Sequence, residues 1–240
     1  MELKLDDIVD KHKGKVALVV VLGPSLNEHL KHIEELNDNE NLIIFTCNMF
    51  DVMTNIKTNY WLVCASLQPM IINNSYKRIN DHGATFLFAH RIPGFSKEIA
   101  KQKIKTNYIP VSDLSNQKDS LQQTFANYTN SETYGPVDTV LLHLINLGVI
   151  TGCDSIYITG ADLNYDKGYV KNGVHTLGER MGKINMNQKA KNRTLDYIKT
   201  MKKSANNVGT ELFTLNPSSP LSSILEVKTI EDLKNNLNEK

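Results

Sequence analysis

The feature that most constrains this chain is an unbroken apolar run at 16–22, which ends in a glycine and a proline. The run reads Val-Ala-Leu-Val-Val-Val-Leu, and a β-branched stretch of this kind is typical of a strand buried on both faces of a parallel sheet. Gly23 and Pro24 end the run, and Ser25 is a favoured N-cap residue for a helix that follows with apolar residues at helical spacing. The sequence therefore predicts a strand, a tight turn and a helix.

The same alternation continues along the chain. Further strands are predicted at 41–46, 60–65, 84–89, 107–111, 154–159 and 211–215, and helices at 26–36, 68–80, 136–147, 187–207 and 230–237. Residues 112–133 are polar and weakly periodic, so they are predicted to form a long connection with one short helix at most. Alternating strands and helices indicate an α/β, Rossmann-like fold with a mostly parallel central sheet and helices on both faces. We expect a single domain over residues 1–240.

The apolar helix at 136–147 has clear predicted boundaries. Pro136 lies near its first turn and Gly148 at its end, which is the usual placement of these two residues around a helix. His143 lies inside this helix among apolar residues. We therefore interpret His143 as a structural residue and not as a catalytic one.

Composition excludes several classes of function. The 27 basic and 26 acidic side chains give a net charge of +1, so the chain has no overall field that would attract nucleic acid. Cys47, Cys64 and Cys153 lie far apart and lack metal-ligand or redox-pair spacing, which is typical of reduced, buried thiols. The N-terminus has no signal-peptide pattern, and the longest apolar run is too short to span a membrane. We therefore expect a cytoplasmic protein without a transmembrane segment.

The helix predicted at 187–207 carries a basic face. Its basic residues are Lys189, Lys191, Arg193, Lys199, Lys202 and Lys203. A solvated surface is the ordinary interpretation of such a face, and peripheral contact with anionic lipid is the alternative. The sequence leaves the oligomeric state open.

Polar and small residues follow most of the predicted strands. In an open parallel sheet, ligands bind at the carboxyl ends of the strands. The candidate nucleotide-binding residues at these positions are Gly23, Pro24, Ser25, Asn48, Ser66, Gly160, Asn164, Asn216 and Ser219. Gly23 allows close approach of a ligand, and the amides at the following helix N-terminus suit a phosphate. The turn by itself also fits an ordinary strand-to-helix connection, and the P-loop and dinucleotide-binding fingerprints are absent from the sequence.

Residues 161–186 lack regular periodicity and are predicted to form a lid over the strand ends. The lid contains His175 in a loop rich in Gly and Asn, where a histidine with a pKa near neutrality suits a general base. Tyr165 and Tyr169 have hydroxyls that can donate hydrogen bonds to a phosphate leaving group, and packing is the alternative role of tyrosines in a loop. Asp162 directly follows a buried strand, where a carboxylate needs a partner. We predict these four residues to be catalytic, and no metal-binding motif accompanies them.

Taken in chain order, these motifs resemble those of the bacterial sialyltransferases with a variant GT-A type, nucleotide-sugar-binding fold. They are also similar to those of the motility-associated-factor and 6-hydroxymethylpterin-diphosphokinase-like families. The shared pattern comprises Gly-Pro-Ser-Leu at 23–26, Cys-Asn-x-Phe at 47–50, Ile-Tyr-Ile-Thr-Gly-x-Asp at 156–162, Gly-x-x-x-x-Gly-x-His at 168–175 and Asn-Pro-x-Ser-x-Leu at 216–221.

The resemblance implies a glycosyltransferase of polysaccharide biosynthesis. It would transfer a sugar, such as a sialic-acid-like one, from a CMP-linked donor to a glycan or lipid-linked acceptor, and it would require no cofactor. By position, Gly23, Ser25 and Asn48 would contact the nucleotide. His175 would act as base on the acceptor hydroxyl, and Tyr169 would hydrogen-bond the departing phosphate.

Two positions depart from the family pattern. Leu22 stands where the family commonly has an asparagine, and Asn164, next to Tyr165, stands where the family has a tyrosine. Two alternatives therefore stay open. One is a diphosphokinase-like enzyme that uses ATP and magnesium, with Asp162 as the first candidate carboxylate. The other is a catalytically silent module that binds a nucleotide or a glycan.

Overall fold

The structure, a computed structural model, contains one eight-stranded sheet. It describes residues 1–48, 50, 54–63, 77–89, 101–111, 121–133, 139–163 and 188–240. The strands are β1 (Val16–Val20), β2 (Leu42–Cys47), β3 (Tyr60–Val63), β4 (Thr85–Ala89), β5 (Tyr108–Val111), β6 (Ser155–Thr159), β7 (Glu211–Thr214) and β8 (Glu226–Val227). Their order is β5-β4-β3-β2-β1-β6-β7-β8, and all neighbours are parallel. The predicted parallel α/β sheet is confirmed, and among the strands in these described ranges the prediction missed only the short edge strand β8.

Five α-helices within the described ranges have defined bounds. They are α1 (Leu26–Glu35), α2 (Leu121–Thr129), α3 (Val140–Ile150), α4 (Gln188–Asn206) and α5 (Ile230–Asn238). Helix α2 is the one short helix expected in the polar connection. Residues 77–82 are also helical, in agreement with the C-terminal part of the helix predicted at 68–80. None of the described helices is long and apolar enough to cross a membrane.

Helices cover both faces of the sheet, as predicted. On one face, Asn236 of α5 donates hydrogen bonds to Ser155 Oγ (3.1 Å) and Tyr157 Oη (3.0 Å) of β6. On the other face, Gly148 of α3 lies against Ile156 of β6. Because successive side chains of a strand point to opposite faces, these contacts place α5 and α3 on opposite sides of β6.

The predicted role of Gly148 as a helix terminus is wrong. Helix α3 continues to Ile150, and a Cβ atom on Gly148 would lie 2.7 Å from Cδ1 of Ile156. The glycine therefore allows close packing of the helix on the sheet. Two residues beyond the end of the helix, Gly152 has φ +81° and donates to Val149 O, while Cys153 N donates to Gly148 O. These two bonds form a Schellman motif, with Gly152 as its left-handed residue.

His143 is a buried residue of α3, in agreement with its structural interpretation. Its exposed fraction is 2%, and burial lowers the pKa of its imidazole from 6.5 to about 4. Its Nδ1 atom has no hydrogen-bond partner among the described residues. The folded state therefore favours the neutral imidazole.

We predict that His143 makes the protein less stable in acid. Its folded pKa of about 4 lies below its unfolded value of 6.5, so stability is lost as the pH falls from 6.5 towards 4. Between pH 7 and pH 5 the loss from this group should be about 2 kcal/mol. Urea unfolding of the wild type and of His143→Leu at both pH values measures it.

The His143→Leu protein should lose about 2 kcal/mol less than the wild type over this pH interval. His32→Leu is the matched control, because the His32 side chain is 47% exposed. It should show the wild-type pH dependence. Equal losses in wild type and His143→Leu would contradict the prediction.

Candidate functional site

The carboxyl ends of β1 and β6 meet at the point where the strand order reverses. From β1 the chain builds the sheet outwards through β2 to β5, and it then returns to place β6 on the other side of β1. Ligands of open α/β sheets bind outside the carboxyl ends of the strands at such a switch point. This edge of the sheet is therefore the candidate site, and Gly23 to Ser25, Gly160 to Asp162 and Asn216 to Ser219 all lie here.

Two glycines bring the loops after β1 and β6 into direct contact. Gly23 N donates to Gly160 O at 2.9 Å. A Cβ atom on Gly23 would overlap Gly160 O and the Asp162 carboxylate, and one on Gly160 would overlap the Val21 carbonyl. Gly160 also has φ +71°, which disfavours any other residue. The close approach expected at Gly23 is therefore an approach between two loops.

The Asp162 carboxylate joins three strand-end loops. Its Oδ2 atom accepts hydrogen bonds from Ser25 N (3.1 Å) and Ser25 Oγ (3.0 Å), and its Oδ1 atom accepts one from Asn216 Nδ2 (3.1 Å). These donors are the partners that a carboxylate after a buried strand requires. The negative charge also lies at the N-terminus of α1, where the helix dipole stabilises it. The predicted catalytic role of Asp162 stays a prediction.

The predicted side-chain capping by Ser25 is wrong. Ser25 occupies the N-cap position, but its backbone is helical (φ −62°, ψ −19°) and its side chain makes no capping bond. The hydroxyl donates to Asp162 instead. The carboxylate supplies a charged acceptor for the helix N-terminus, and charged acceptors form the stronger hydrogen bonds.

Asn216 and Ser219 hold the loop after β7. Asn216 Oδ1 accepts hydrogen bonds from Ser218 N (2.9 Å) and Ser218 Oγ (2.8 Å). Ser219 Oγ donates to Ala161 O (2.6 Å) and accepts from Leu221 N (3.2 Å). Both side chains are buried. We use the name strand-end cluster for Gly23, Ser25, Gly160, Asp162, Asn216 and Ser219, and Pro24 lies in the same turn as Gly23 and Ser25.

Asn48 lies one strand further along the same edge, after β2. It adopts φ +53°, its N–H donates to Leu62 O (3.0 Å), and its carbonyl accepts from Trp61 Nε1 (2.7 Å). Leu163, directly after Asp162, adopts φ +48°. A bulky residue with these left-handed backbone angles is strained by about 1–2 kcal/mol. Such strain is concentrated at functional sites.

His29 is a residue of this edge that the sequence did not single out. It lies one turn along α1 from Ser25, and its Nδ1 is 3.1 Å from Oγ1 of Thr159, the last residue of β6. The pKa of its imidazole is lowered, mainly by burial. The charge of Glu28 opposes this effect, and His32 adds to it. The spacing of four residues from Ser25 is the one sequence signal that places His29 on the same helix face.

Several predicted residues lie outside the described residues. They are Ser66, Asn164, Tyr165, Tyr169 and His175, together with residues 164–186 of the predicted lid. Their roles stay predictions. Within the described ranges, no group of three or more His, Cys, Asp or Glu side chains is arranged to hold a metal ion.

Comparison with known proteins relates the fold to solved sialyltransferase structures. No protein-family model matches the chain, and no curated protein matches its sequence significantly. The sialyltransferase CstII from Campylobacter jejuni, in complex with the substrate analogue cytidine-5′-monophosphate, matches with a TM-score of 0.52 and 15% sequence identity. The match covers 91% of this chain and 86% of that one.

Two further structures of CstII also match the fold of this chain. A tyrosine-to-phenylalanine variant of CstII in complex with CMP matches with a TM-score of 0.56 and 16% identity, over 89% of this chain and 85% of that one. CstII with the substrate analogue CMP-3FNeuAc matches with a TM-score of 0.52 and 16% identity, over 89% and 86% of the two chains. The chain therefore has the fold of these sialyltransferases, which confirms that part of the resemblance.

We predict that Gly160→Ala destabilises the protein far more than Gly209→Ala. Both glycines have positive φ, +71° and +84°, but a Cβ on Gly209 meets nothing within 4 Å, whereas one on Gly160 overlaps the Val21 backbone. Gly209→Ala should lower the free energy of unfolding by about 1 kcal/mol. Gly160→Ala should lower it by at least about 2 kcal/mol more. Urea unfolding measures both, and equal losses would show that the loops after β1 and β6 do not touch.

Proposed function

We propose that this protein is a glycosyltransferase that transfers a sugar from a CMP-linked donor to a glycan or lipid-linked acceptor. The observation that carries the proposal is that nine-tenths of the chain shares the fold of CMP-bound sialyltransferases. The strand ends that carry the resembling motifs also converge at the edge where such folds bind ligands. A sialic-acid-like sugar is the donor group that these two observations favour.

In this proposal, the nucleotide lies across the carboxyl ends of β1 and β2. The turn from Gly23 to Ser25 ends β1 and would border the nucleotide, and the contacts of Gly23 with Gly160 and Asp162 hold it in place. Asn48 follows the neighbouring strand β2, whose Thr46 pairs with Val20 of β1. The hydrogen bonds of the strand-end cluster fix the loops on the β6 side of β1, which provides the rigid wall that precise binding requires.

We propose that the chemistry is carried by the segment after Asp162. The acceptor hydroxyl oxygen attacks the anomeric carbon of the donor sugar, and the bond from that carbon to the CMP phosphate oxygen breaks. His175 accepts the proton of the hydroxyl, which is general-base catalysis. Tyr169 and Tyr165 donate hydrogen bonds to the departing phosphate, which stabilises its negative charge. No metal or other cofactor is required for these steps.

The contacts of Asp162 weaken its candidacy as the magnesium ligand of the diphosphokinase-like alternative. Magnesium is held by carboxylate oxygens together with water and phosphate. Asp162 is the first candidate carboxylate for magnesium in that alternative. Its two oxygens already accept three hydrogen bonds from Ser25 and Asn216. We also propose a cytoplasmic location. A solvated surface stays the ordinary interpretation of the basic face of α4, and peripheral contact with anionic lipid is the alternative.

We predict that CMP stabilises the protein without magnesium. Thermal unfolding should be followed with CMP, CDP, UDP, GDP and ATP, each with and without magnesium. CMP at a hundred times its dissociation constant should add about 2.7 kcal/mol of stability, which corresponds to roughly 5–10 °C in Tm for a chain of this length. A shift that occurs only with ATP and magnesium would favour the diphosphokinase-like alternative, and CMP binding without donor turnover would favour a silent binding module.

We predict that His175→Ala removes turnover but not nucleotide binding. Release of CMP from CMP-N-acetylneuraminate should fall by about 10²–10⁴-fold, because a general base contributes that much. The dissociation constant of CMP should stay within about threefold, since the base acts on the acceptor and not on the nucleotide. His32→Ala, a change at an exposed histidine of α1, is the matched control. CMP release by His175→Ala at the wild-type rate would show that His175 is not the base.

A further inference from the structure

Ser25, at the N-terminus of α1, has two donors of the kind that bind an anion, and Asp162 accepts from both. Ser25 N and Ser25 Oγ both point at Asp162 Oδ2, at 3.1 Å and 3.0 Å. A phosphate oxygen at a helix N-terminus is bound by the same kinds of donor. The carboxylate therefore fills the position that the Gly-Pro-Ser turn would otherwise offer to a phosphate.

The carboxylate is held in this position from both sides. Asn216 Nδ2 donates to Oδ1 at 3.1 Å, so rotation of the Asp162 side chain away from Ser25 would break a third hydrogen bond. Ser25 is buried, with an exposed fraction of 7%. Gly23 leaves the space that Oδ2 occupies, because a Cβ there would overlap the carboxylate.

A second contact ties α1 to β6 one turn further along. His29 Nδ1 lies 3.1 Å from Thr159 Oγ1, and Thr159 is fully buried. This contact does not depend on Asp162. Substitution of Asp162 is therefore expected to free the two Ser25 donors and to leave the helix in place, because the backbone amides of residues 26–28 donate to backbone carbonyls.

We propose that Asp162 is a positioning residue that closes the N-terminus of α1 to phosphate. The turn at Gly23 to Ser25 then serves as a wall of the nucleotide site and not as its phosphate cradle. A ligand phosphate bound by the Ser25 donors would lie next to the Asp162 carboxylate. The two negative charges would then repel each other. The phosphate of a nucleotide donor is therefore bound by other groups of the site.

Closure of the turn can be tested without any nucleotide, by NMR of the Ser25 amide during titration with inorganic phosphate. In the wild type, the Ser25 resonance should not respond to millimolar phosphate. In Asp162→Ala, the resonance should shift with saturation, because the two donors become available. Hydrogen exchange of this amide should also become about 10- to 100-fold faster than in the wild type, since a bond to a charged acceptor is lost.

Two variants control this experiment. Asp162→Asn keeps an acceptor oxygen for Ser25 but loses the bond from Asn216 Nδ2, because its amide nitrogen cannot accept. Its Ser25 amide should therefore stay more protected than in Asp162→Ala, and it should be insensitive to phosphate. Asp38→Ala removes an exposed carboxylate, 85% accessible, beyond the C-terminal end of α1, and it should behave as the wild type. A Ser25 shift with phosphate in the wild type would overturn the proposal, as would an Asp162→Ala protein with unchanged exchange and no response to phosphate.

The consequence for nucleotide binding rests on the proposed function and is tested by calorimetry with cytidine and CMP. Asp162→Ala should weaken cytidine binding about tenfold, because the wall loosens. Ser25→Ala should leave the ratio of the cytidine and CMP affinities unchanged, because in the wild type the Ser25 donors are bonded to Asp162 and not to the phosphate. A selective loss of CMP binding in Ser25→Ala would overturn the proposal, because Ser25 would then bind the phosphate.

The proposed function and the closure of the turn by Asp162 can be contradicted separately. If the wild type binds neither cytidine nor CMP, the proposed function fails. The phosphate titration still decides whether Asp162 closes the turn, because it uses inorganic phosphate alone.

Discussion

The arrangement of the candidate site depends on the hydrogen bonds that the Asp162 carboxylate accepts. A parallel sheet brings the carboxyl ends of its strands to one edge, but it leaves the loops after them free to diverge at the switch point. Asp162 accepts hydrogen bonds from the turn after β1 and from the loop after β7. Gly23 and Gly160 permit this contact, because neither position tolerates a Cβ atom. The loops of three strands thereby form one fixed surface.

Most of the fold could be predicted from local sequence patterns, and the errors arose where distant residues decide the outcome. Apolar runs such as 16–22 identify buried strands because both faces of a central parallel strand are covered. Gly148 was misinterpreted because the reason for a glycine there is the Ile156 side chain, which no local pattern reveals. Ser25 has the right residue type for capping, yet its hydroxyl bonds to an acceptor 137 residues away. Positions at the strand ends predicted which of the described residues lie at this edge of the sheet. They did not predict which side chains form hydrogen bonds with one another.

The contacts at this edge divide the predicted site residues into two groups. Ser25, Asp162, Asn216 and Ser219 use their side chains to join loops. Asn48 follows β2, beside the end of β1, and is held with a positive φ that few residue types adopt readily. The proposed nucleotide-sugar site would need both a rigid wall and groups that contact the ligand. The likeness to solved sialyltransferases at 15–16% identity extends to the fold, and loops can change while the sheet persists.

The most direct test of this account is a crystal structure of the protein grown with CMP. The account predicts that CMP lies across the carboxyl ends of β1 and β2. It also predicts that the CMP phosphate is away from Ser25 and that Asp162 still accepts from Ser25 and Asn216. A CMP phosphate bound to Ser25 with the Asp162 carboxylate displaced, or CMP bound at another face of the sheet, would contradict it.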